Sequence, residues 1–257
     1  MSGTPFVRVV DAGAVRTIVL ARPEARNAVN PEMAEALRAA FLDFEASDTL
    51  RVAVLWGDGG HFSAGADLKA VHAGEAFRTG VDEPGPLGPT RLRLTKPTIA
   101  AVAGHAVAGG LELALLCDLR VVEESATFGV FCRRFGVPLI DGGTVRLPRL
   151  VGLSRALDLV LTGRAVSARE ALEMGLANRV VPDGTARTAA VALAQALVEL
   201  PWACLMADRR STVESQDLSV DAALRFEIEN AQSLLTALVR DGAGHFVGGA
   251  GRHGQKV

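Results

Sequence analysis

The chain has 257 residues, of which 49% are apolar, and its formal net charge is −2 at pH 7. A chain of this length and composition can bury roughly three quarters of its unfolded surface, which predicts one enzyme-sized globular molecule. The sequence has no basic stripe, which argues against a nucleic-acid partner, and its 3 scattered cysteines favour a reducing, cytoplasmic setting.

The N-terminal region predicts a hairpin and then a helix. Val7–Val10 and Val15–Leu20 are β-branched runs separated by a turn at residues 11–13. A helix is predicted from Pro31 to about Glu45, with the preceding asparagine as its N-cap. One face of this helix is apolar: Met33, Leu37, Phe41 and Leu42.

A third strand and a long loop follow. Val52–Trp56 reads as a buried strand and is followed by a glycine turn at residues 57–60. Residues 74–90 are rich in glycine and proline, so we expect a surface loop there.

The stretch from Lys96 to Asp118 predicts a strand, a glycine turn and a helix. Residues 98–102 form the strand, residues 104–110 the turn and residues 111–116 the helix. The first amides of such a helix have no intrahelical partner, so Gly109 or Gly110 can bind a negatively charged oxygen. The stretch is also interrupted by polar residues, which argues against a membrane span.

The remaining chain changes from mixed α/β to helical composition near residue 195. Strands are predicted at Leu119–Val122, Thr127–Gly129 and Asn178–Val181, and helices at Ser154–Thr162 and after the capping box that begins at Ser167. Longer helices are predicted at Thr185–Leu200, from Pro201 to about Arg210, and at Ser219–Arg240. We therefore divide the chain into residues 1–195, an α/β core, and residues 196–257, a helical region.

Two weaker patterns in the sequence carry no function. Residues 249–254 fit GxGxxG, but no strand precedes them, so we expect no dinucleotide site. The 5 histidines lack metal-ligand spacing, and we expect no metal.

Several motifs together resemble one known family, the enoyl-CoA hydratase/isomerase or crotonase family. The motifs occur in order along nearly the whole chain: RPEARNA (residues 22–28), FSAGADL (62–68), KPTIAAVAG (96–104), GGLELALLCD (109–118), GGTVRLPRLVG (142–152) and ALEMGLANRVV (171–181). The resemblance implies a spiral α/β core of repeated ββα units and a helical C-terminal region that builds a homotrimer or hexamer. It also implies an acyl-CoA substrate of fatty-acid or related metabolism, with coenzyme A as part of the substrate and no separate cofactor.

The resemblance assigns roles to residues of this chain. The amides of Ala66 and Gly109 would form an oxyanion hole for the thioester oxygen, and Glu112 would be one of two catalytic glutamates. A further set matches the positions that contact coenzyme A or line the acyl site: Ala25, Arg26, Ala28, Ala64, Asp67, Leu68, Gly110 and Cys132.

The chain departs from the hydratase pattern at two positions. Cys132 occupies the place of the second hydratase glutamate, and a thiol is a poor general base near neutral pH. Asp141 occupies a place where dienoyl-CoA isomerases of the family carry a functional aspartate. We therefore favour double-bond isomerisation by Glu112 and Asp141 over efficient hydration.

Alternatives remain open from the sequence. Hydration could proceed with Glu112 and either Asp141 or a water molecule, or the chain could be a silent acyl-CoA-binding protein. Asp141 could instead cap a helix that begins near Gly142 or Thr144. Cys132 could be a nucleophile, because Arg133 and Arg134 follow it, or an inert wall of the pocket.

Overall fold

A computed structural model describes residues 6–235 and 237–247 of the chain. It divides into two compact units, one ending at Val198 and the other beginning at Glu199. The assignment of the second unit to oligomerisation stays a prediction.

Strands of the first unit form two sheets. They are β1 (Val7–Ala12), β2 (Val15–Leu20), β3 (Val52–Gly57), β4 (Thr98–Val102), β5 (His105–Val107), β6 (Leu119–Glu123), β7 (Thr127–Gly129), β8 (Ala165–Ser167) and β9 (Arg179–Val181). Within the described residues, the larger sheet has the order β1-β2-β3-β4-β6-β9, and β5, β7 and β8 form the smaller one. In the larger sheet β1 and β2 are antiparallel, and all other neighbours are parallel. The central strands are almost wholly buried and apolar, as parallel strands covered on both faces must be.

Helices follow the strands in the first unit and dominate the second. The first unit contains α1 (Pro31–Ala46), α2 (Leu68–His72), α3 (Gly109–Leu116), α4 (Gly143–Val151), α5 (Leu153–Thr162), α6 (Ala168–Glu173) and α7 (Ala186–Val198). The second contains α8 (Trp202–Glu214), α9 (Val220–Ala231) and α10 (Ala237–Val247). Short 3-10 helices lie at Pro23–Ala25, Phe131–Phe135, Ser215–Asp217 and Gln232–Leu234.

A strand–strand–helix unit repeats along the first unit. β4 lies in the larger sheet, β5 in the smaller sheet, and α3 follows them; β6, β7 and α4 repeat this order. After β3, Ser63 forms an isolated bridge to Ala106 of β5 before α2 begins. The repeat places the loop before α2 beside the N-terminus of α3.

The α1 helix begins as its sequence predicts. Asn30 is the N-cap, and its side chain accepts a hydrogen bond of 2.9 Å from the amide of Met33. Met33, Leu37 and Phe41 are buried, but Leu42 is 39% exposed, so it does not belong to the buried face of the helix.

Several predicted boundaries differ from the structure. β1 continues to Ala12, which moves the hairpin turn to residues 13–14, and the predicted turn at residues 104–110 contains β5 and the start of α3. The long helix predicted at Ser219–Arg240 is divided by the 3-10 turn at Gln232–Leu234. The glycine-rich tail beyond residue 247 lies outside the described residues.

The predicted surface loop at residues 74–90 consists of two different parts. Residues 75–83 are mostly exposed, as expected. Residues 85–90 are buried without exception, because they pack between α1 and the beginning of α4. The expectation of a surface loop is therefore wrong for this second part.

No single helix in the described part of the chain is long and apolar enough to cross a membrane, although α7 and the helical residues 202–217 together reach that length and composition.

Candidate active site

The first loop of the site follows β3 and is held by a buried asparagine. Asn27 is fully buried, and its side-chain nitrogen donates to two carbonyl groups of the loop at 2.8 and 2.7 Å. The hydroxyl of Ser63 donates to the carbonyl of Asn27 at 2.8 Å and accepts from the amide of Gly65 at 3.1 Å. These bonds fix the backbone immediately before Ala66.

Asn27 was not among the predicted site residues. Its φ of 54° lies in the left-handed region, which asparagine tolerates better than most residues. An asparagine inside the RPEARNA motif was the available signal for this role.

The second loop precedes α3 and contains a strained residue. Ala108 has φ 53° and ψ −125°, a conformation that costs a non-glycine residue on the order of 1–3 kcal/mol. Its amide donates to the carbonyl of Gly129 at 2.8 Å, and its carbonyl accepts from Leu111 at 3.1 Å. The strain orients the peptide that carries the Gly109 amide at the N-terminus of α3.

The two loops bring the amides of Ala66 and Gly109 together. A Cβ atom at Gly65 would lie 2.5 Å from the Gly109 nitrogen, and one at Gly109 would lie 3.4 Å from the Ala66 nitrogen. This approach requires glycine at position 65, where φ is 88°. Within the described chain neither of the two amides donates a hydrogen bond, and both residues line a cavity. They can therefore bind an oxygen atom of a ligand.

Glu112 lies on the first turn of α3 and faces the same cavity. It is 2% exposed, and its Oε1 accepts hydrogen bonds from the amides of Asp141 at 2.8 Å and Gly143 at 2.7 Å. Burial raises the pKa of Glu112 to about 7, and the negative charge of Asp141 adds to this, while the two amides and Arg146 oppose it. Glu112 can thus hold or release a proton near neutral pH.

Asp141 lies two residues before the start of α4 and is 4% exposed. Its Oδ1 accepts from the amide of Leu87 at 3.0 Å and from the hydroxyl of Thr90. Burial raises the pKa of the carboxyl, and the bonds from Thr90 and Leu87 oppose that rise.

The structure contradicts the helix-cap interpretation of Asp141. Helix α4 begins at Gly143, and its N-cap residue is Gly142, with no side-chain cap from the described chain. The amide of Gly143 is instead bound by Glu112. Asp141 fails as a cap because its side chain turns back toward Leu87 and Thr90.

Cys132 lines the cavity from the 3-10 helix after β7. It is 8% exposed, and burial together with the charge of Glu112 raises the pKa of its thiol. The thiol is therefore protonated at neutral pH, which argues against a thiolate nucleophile despite the nearby Arg133.

The cavity has a volume of about 680 Å³ and a largely apolar wall. Its apolar side chains come from several elements: Leu68, Val71, Phe77, Pro86, Leu87, Val107, Phe131, Phe135, Val137, Pro138 and Ile140. Two buried carboxylates and two free amides thus converge on an apolar space, which is the usual composition of a small-molecule site.

Comparison with known proteins decides the family. The family model of enoyl-CoA hydratase/isomerase matches residues 11–247. Enoyl-CoA hydratase EchA19 of Mycobacterium tuberculosis is 37% identical over 235 residues, covering 88% of this chain and 86% of that protein. The chain belongs to the enoyl-CoA hydratase/isomerase family.

Further relatives agree with this assignment. A carnitinyl-CoA dehydratase of Salmonella arizonae is 38% identical over 222 residues, covering 86% of this chain and 85% of that one. The crystal structure of an enoyl-CoA hydratase from M. tuberculosis superimposes with a TM-score of 0.88 at 36% identity, covering 95% of this chain and 96% of the other. The predicted crotonase-like α/β fold and the enzyme class are confirmed.

The predicted coenzyme A positions fall into two groups in this family member. Ala28, Ala64, Leu68 and Cys132 line the cavity together with Ala66 and Gly109. The others lie outside its wall: Ala25, Arg26, Asp67 and Gly110.

Two residues of the second group have structural partners in the described chain. Asp67 is the N-cap of α2 and pairs with Arg22 at 3.0 Å. Gly110 packs so closely that a Cβ atom there would lie 2.1 Å from the carbonyl oxygen of Ser63. Contact of either residue with coenzyme A stays a prediction.

Outside the wall of the cavity, two histidines that are far apart in the sequence approach each other. The Nδ1 atoms of His61 and His105 lie 3.3 Å apart beside the two amide-bearing loops. In the part of the chain that the structure describes, no three histidine, cysteine or acidic side chains form a group that could hold a metal ion.

Proposed function

We propose that the chain acts on acyl-CoA thioesters through an enolate whose oxygen is bound by the amides of Ala66 and Gly109. The observation that carries the proposal is the convergence of these two unpaired amides with Glu112 and Asp141 in one apolar cavity. Donors already in place stabilise charge that develops on the thioester oxygen, each by about 3 to 4 kcal/mol. Coenzyme A enters as part of the substrate, and no other cofactor is required.

The two carboxyl groups of Glu112 and Asp141 take different roles in proton transfer. Glu112 has a pKa of about 7 and carries a proton in part of the molecules at neutral pH. Burial raises the pKa of Asp141 as well, but Thr90 and Leu87 donate to its Oδ1 and stabilise the carboxylate, and the negative charge of Asp141 contributes to the raised pKa of Glu112. We therefore assign Asp141 as the base and Glu112 as the acid, and the roles exchange in the reverse reaction.

Double-bond migration is the reaction that this pair supports best. In a 3-enoyl thioester, Asp141 takes a proton from the α-carbon, and the electrons of the broken C–H bond pass into an enolate conjugated with the double bond. Glu112 gives its proton to the γ-carbon, and the electrons return from the enolate oxygen to leave an α,β double bond. Transfer of a proton from Asp141 to Glu112 through water restores the starting state.

Hydration is the second candidate, because the relatives are named hydratase and dehydratase. Here Asp141 would activate a water molecule for attack on the β-carbon, and Glu112 would protonate the α-carbon. Cys132, which stands where hydratases carry a second glutamate, is protonated and cannot serve as the base.

The two reactions are separated by one experiment in D₂O. Wild type is given 3-enoyl-CoA and trans-2-enoyl-CoA esters of matched chain length, and products and deuterium incorporation are followed by NMR. We expect interconversion of the two esters with deuterium at the α- and γ-carbons, and a loss of about 10² to 10⁴ in rate for Asp141→Asn.

Other outcomes would change the assignment. A 3-hydroxyacyl product without double-bond migration would establish hydration instead. Binding without either product or exchange would leave a silent acyl-CoA-binding protein and refute the enzyme proposal. Full activity of Cys132→Ala would exclude the thiol as a nucleophile.

We further propose that residues 199–247 join copies of the chain into a trimer or hexamer. Several apolar side chains of this unit are more than half exposed, among them Leu224 at 59% and Ile228 at 54% on α9. Such a surface suits an interface between subunits.

A further inference from the structure

A buried segment, residues 85–90, binds the side chain of Asp141. Residues 85–90 are buried, and Thr90 is only 1% exposed. The hydroxyl of Thr90 and the amide of Leu87, the latter at 3.0 Å, both donate to Oδ1 of Asp141. Within the described chain Oδ2 accepts no hydrogen bond, so this oxygen remains for a substrate proton.

Arg146, a residue of α4, binds residues 85–90 through its guanidinium group. Its Nη2 donates to the carbonyl of Thr90 at 2.6 Å, and its Nη1 donates to the carbonyl of Asp141 at 3.0 Å. The guanidinium thereby fixes the backbones of the donor residue and of the acceptor residue together.

Gly85 and Leu87 show how closely the segment fits. A Cβ atom at Gly85 would lie 1.8 Å from the hydroxyl oxygen of Thr90 and 2.9 Å from Oδ1 of Asp141, so this bond can form only beside a glycine. The side chain of Leu87 packs on the amide-bearing loop, since a Cβ atom at Gly109 would lie 2.3 Å from its Cδ1. The segment thus contacts both Asp141 and the loop that carries the Gly109 amide.

We propose that Thr90 is a positioning residue, which holds Oδ1 of Asp141 through its hydroxyl so that the carboxylate stays ionised and presents Oδ2 to the substrate. This inference rests on the proposed function of Asp141 as a base. A hydrogen bond donated to a carboxylate stabilises its charged form, and a buried carboxylate needs such donors to remain ionised. The other charged groups that act on Asp141 and its neighbour Glu112 are Arg91 and Arg146.

The first test compares Thr90→Val, which keeps the shape but removes the hydroxyl, with Thr90→Ser, which keeps the hydroxyl. For Thr90→Val we expect kcat to fall about ten- to hundredfold at neutral pH with little change in KM. The acid limb of its pH–rate profile should move to higher pH, because Asp141 is then protonated over a wider range. Thr90→Ser should restore both the rate and the profile.

A matched control is Thr98→Val in β4. Thr98 is also 1% exposed, and its hydroxyl accepts from the amide of Asp118 at 3.2 Å, so it measures the general cost of removing a buried hydroxyl. A Thr90→Val profile that falls in height without moving along the pH axis, as in this control, would overturn the proposal.

A second measurement needs no turnover. The carboxyl carbon of Asp141 is titrated by ¹³C NMR in substrate-free protein, with its signal identified by its loss in Asp141→Asn. An upward shift of the titration midpoint in Thr90→Val supports the proposal, and an unchanged midpoint overturns it. If wild type turns over no acyl-CoA, the proposed function is refuted. A shifted midpoint in Thr90→Val would still establish the Thr90–Asp141 interaction.

Discussion

The protonation state of Glu112 is the outcome of opposing local effects. Its carboxyl is almost completely buried, which favours the neutral acid, while two amides and Arg146 favour the carboxylate. Burial is the larger effect, so the pKa rises from 4.5 to about 7. A residue that is ionised in the unfolded chain is therefore partly protonated in the folded protein.

Glu112 consequently makes folding stability depend on pH. Between pH 4.5 and about 7 the folded state keeps a proton that the unfolded state has lost, so stability decreases as pH rises through this range. We expect Glu112→Gln, which keeps an oxygen acceptor without charge, to be more stable than wild type at pH 8 by about 3 kcal/mol. At pH 4.5 the two should be equally stable, as measured by urea unfolding.

Glu75→Gln is the matched control for this experiment, because Glu75 also lines the cavity but is exposed. It should follow wild type at both pH values. A stability difference for Glu112→Gln that does not change with pH would contradict the proposed origin of the effect.

A second prediction at the scale of one residue concerns the backbone strain at Ala108. Replacing it with glycine relieves backbone strain of on the order of 1–3 kcal/mol but loses a methyl contact and adds freedom to the unfolded chain. We expect the free energy of unfolding of Ala108→Gly to stay within about 1 kcal/mol of wild type. The same change at Ala106, a buried residue of β5, relieves no strain and should destabilise by about 1–2 kcal/mol.

Chemical denaturation of the two alanine variants provides the measurement. Equal destabilisation of both would show that the conformation of Ala108 stores no strain.

At the scale of elements, the two ends of α3 differ in how their backbone groups are satisfied. Its N-terminus carries the free amide of Gly109, and its C-terminus is bound by the buried guanidinium of Arg120. Arg120 donates to the carbonyl oxygens of Cys117 at 2.7 Å, Ala114 at 3.5 Å and Leu176 at 2.6 Å. A cation at this end complements the helix dipole and satisfies carbonyl groups that the helix leaves unpaired.

Removal of this cation should destabilise the protein severely. We expect Arg120→Met to lower the free energy of unfolding by about 3 kcal/mol or more, because several buried carbonyl groups lose their donor at once. Arg120→Lys should recover little, since an ammonium group cannot reproduce the fork of the guanidinium.

Arg169→Met serves as the control for Arg120. Its ion pair with Glu173 is on the surface, where Arg169 is 90% exposed, and its loss should have an effect near the limit of detection. Comparable unfolding curves for the Arg120 and Arg169 variants would contradict the capping role.

At the scale of the whole molecule, the second unit exposes apolar side chains that the proposed oligomer would cover. Sedimentation of wild type should give three or six times the chain mass of 26.9 kDa. The double variant Leu224→Glu, Ile228→Glu should shift this mass toward the monomer, because a charge in an apolar interface is costly to desolvate. Glu227→Gln on the same helix is the control, and a wild-type monomer would refute the proposal.

The sequence predicted features with local causes and missed those that depend on distant partners. The N-cap Asn30 and the strand–turn–helix around Gly109 were visible because their signals lie within a few residues. The partners of Asp141 lie 51 and 54 residues away, so the sequence could not reveal them and left a local helix cap open as an alternative to the catalytic role. β5 was missed because a strand of three residues beside a glycine resembles a turn. It is stabilised by pairing with β7, a tertiary contact that the local sequence does not show.

The bonds that Glu112 accepts from the amides of Asp141 and Gly143 give a way to observe the carboxyl without labelling it. The amide protons of Asp141 and Gly143 both point at Oε1, so their chemical shifts must respond when that oxygen gains or loses charge. Two backbone signals in an ordinary ¹⁵N correlation spectrum would then report the protonation state of Glu112, both in the substrate-free protein and with an acyl-CoA ester bound.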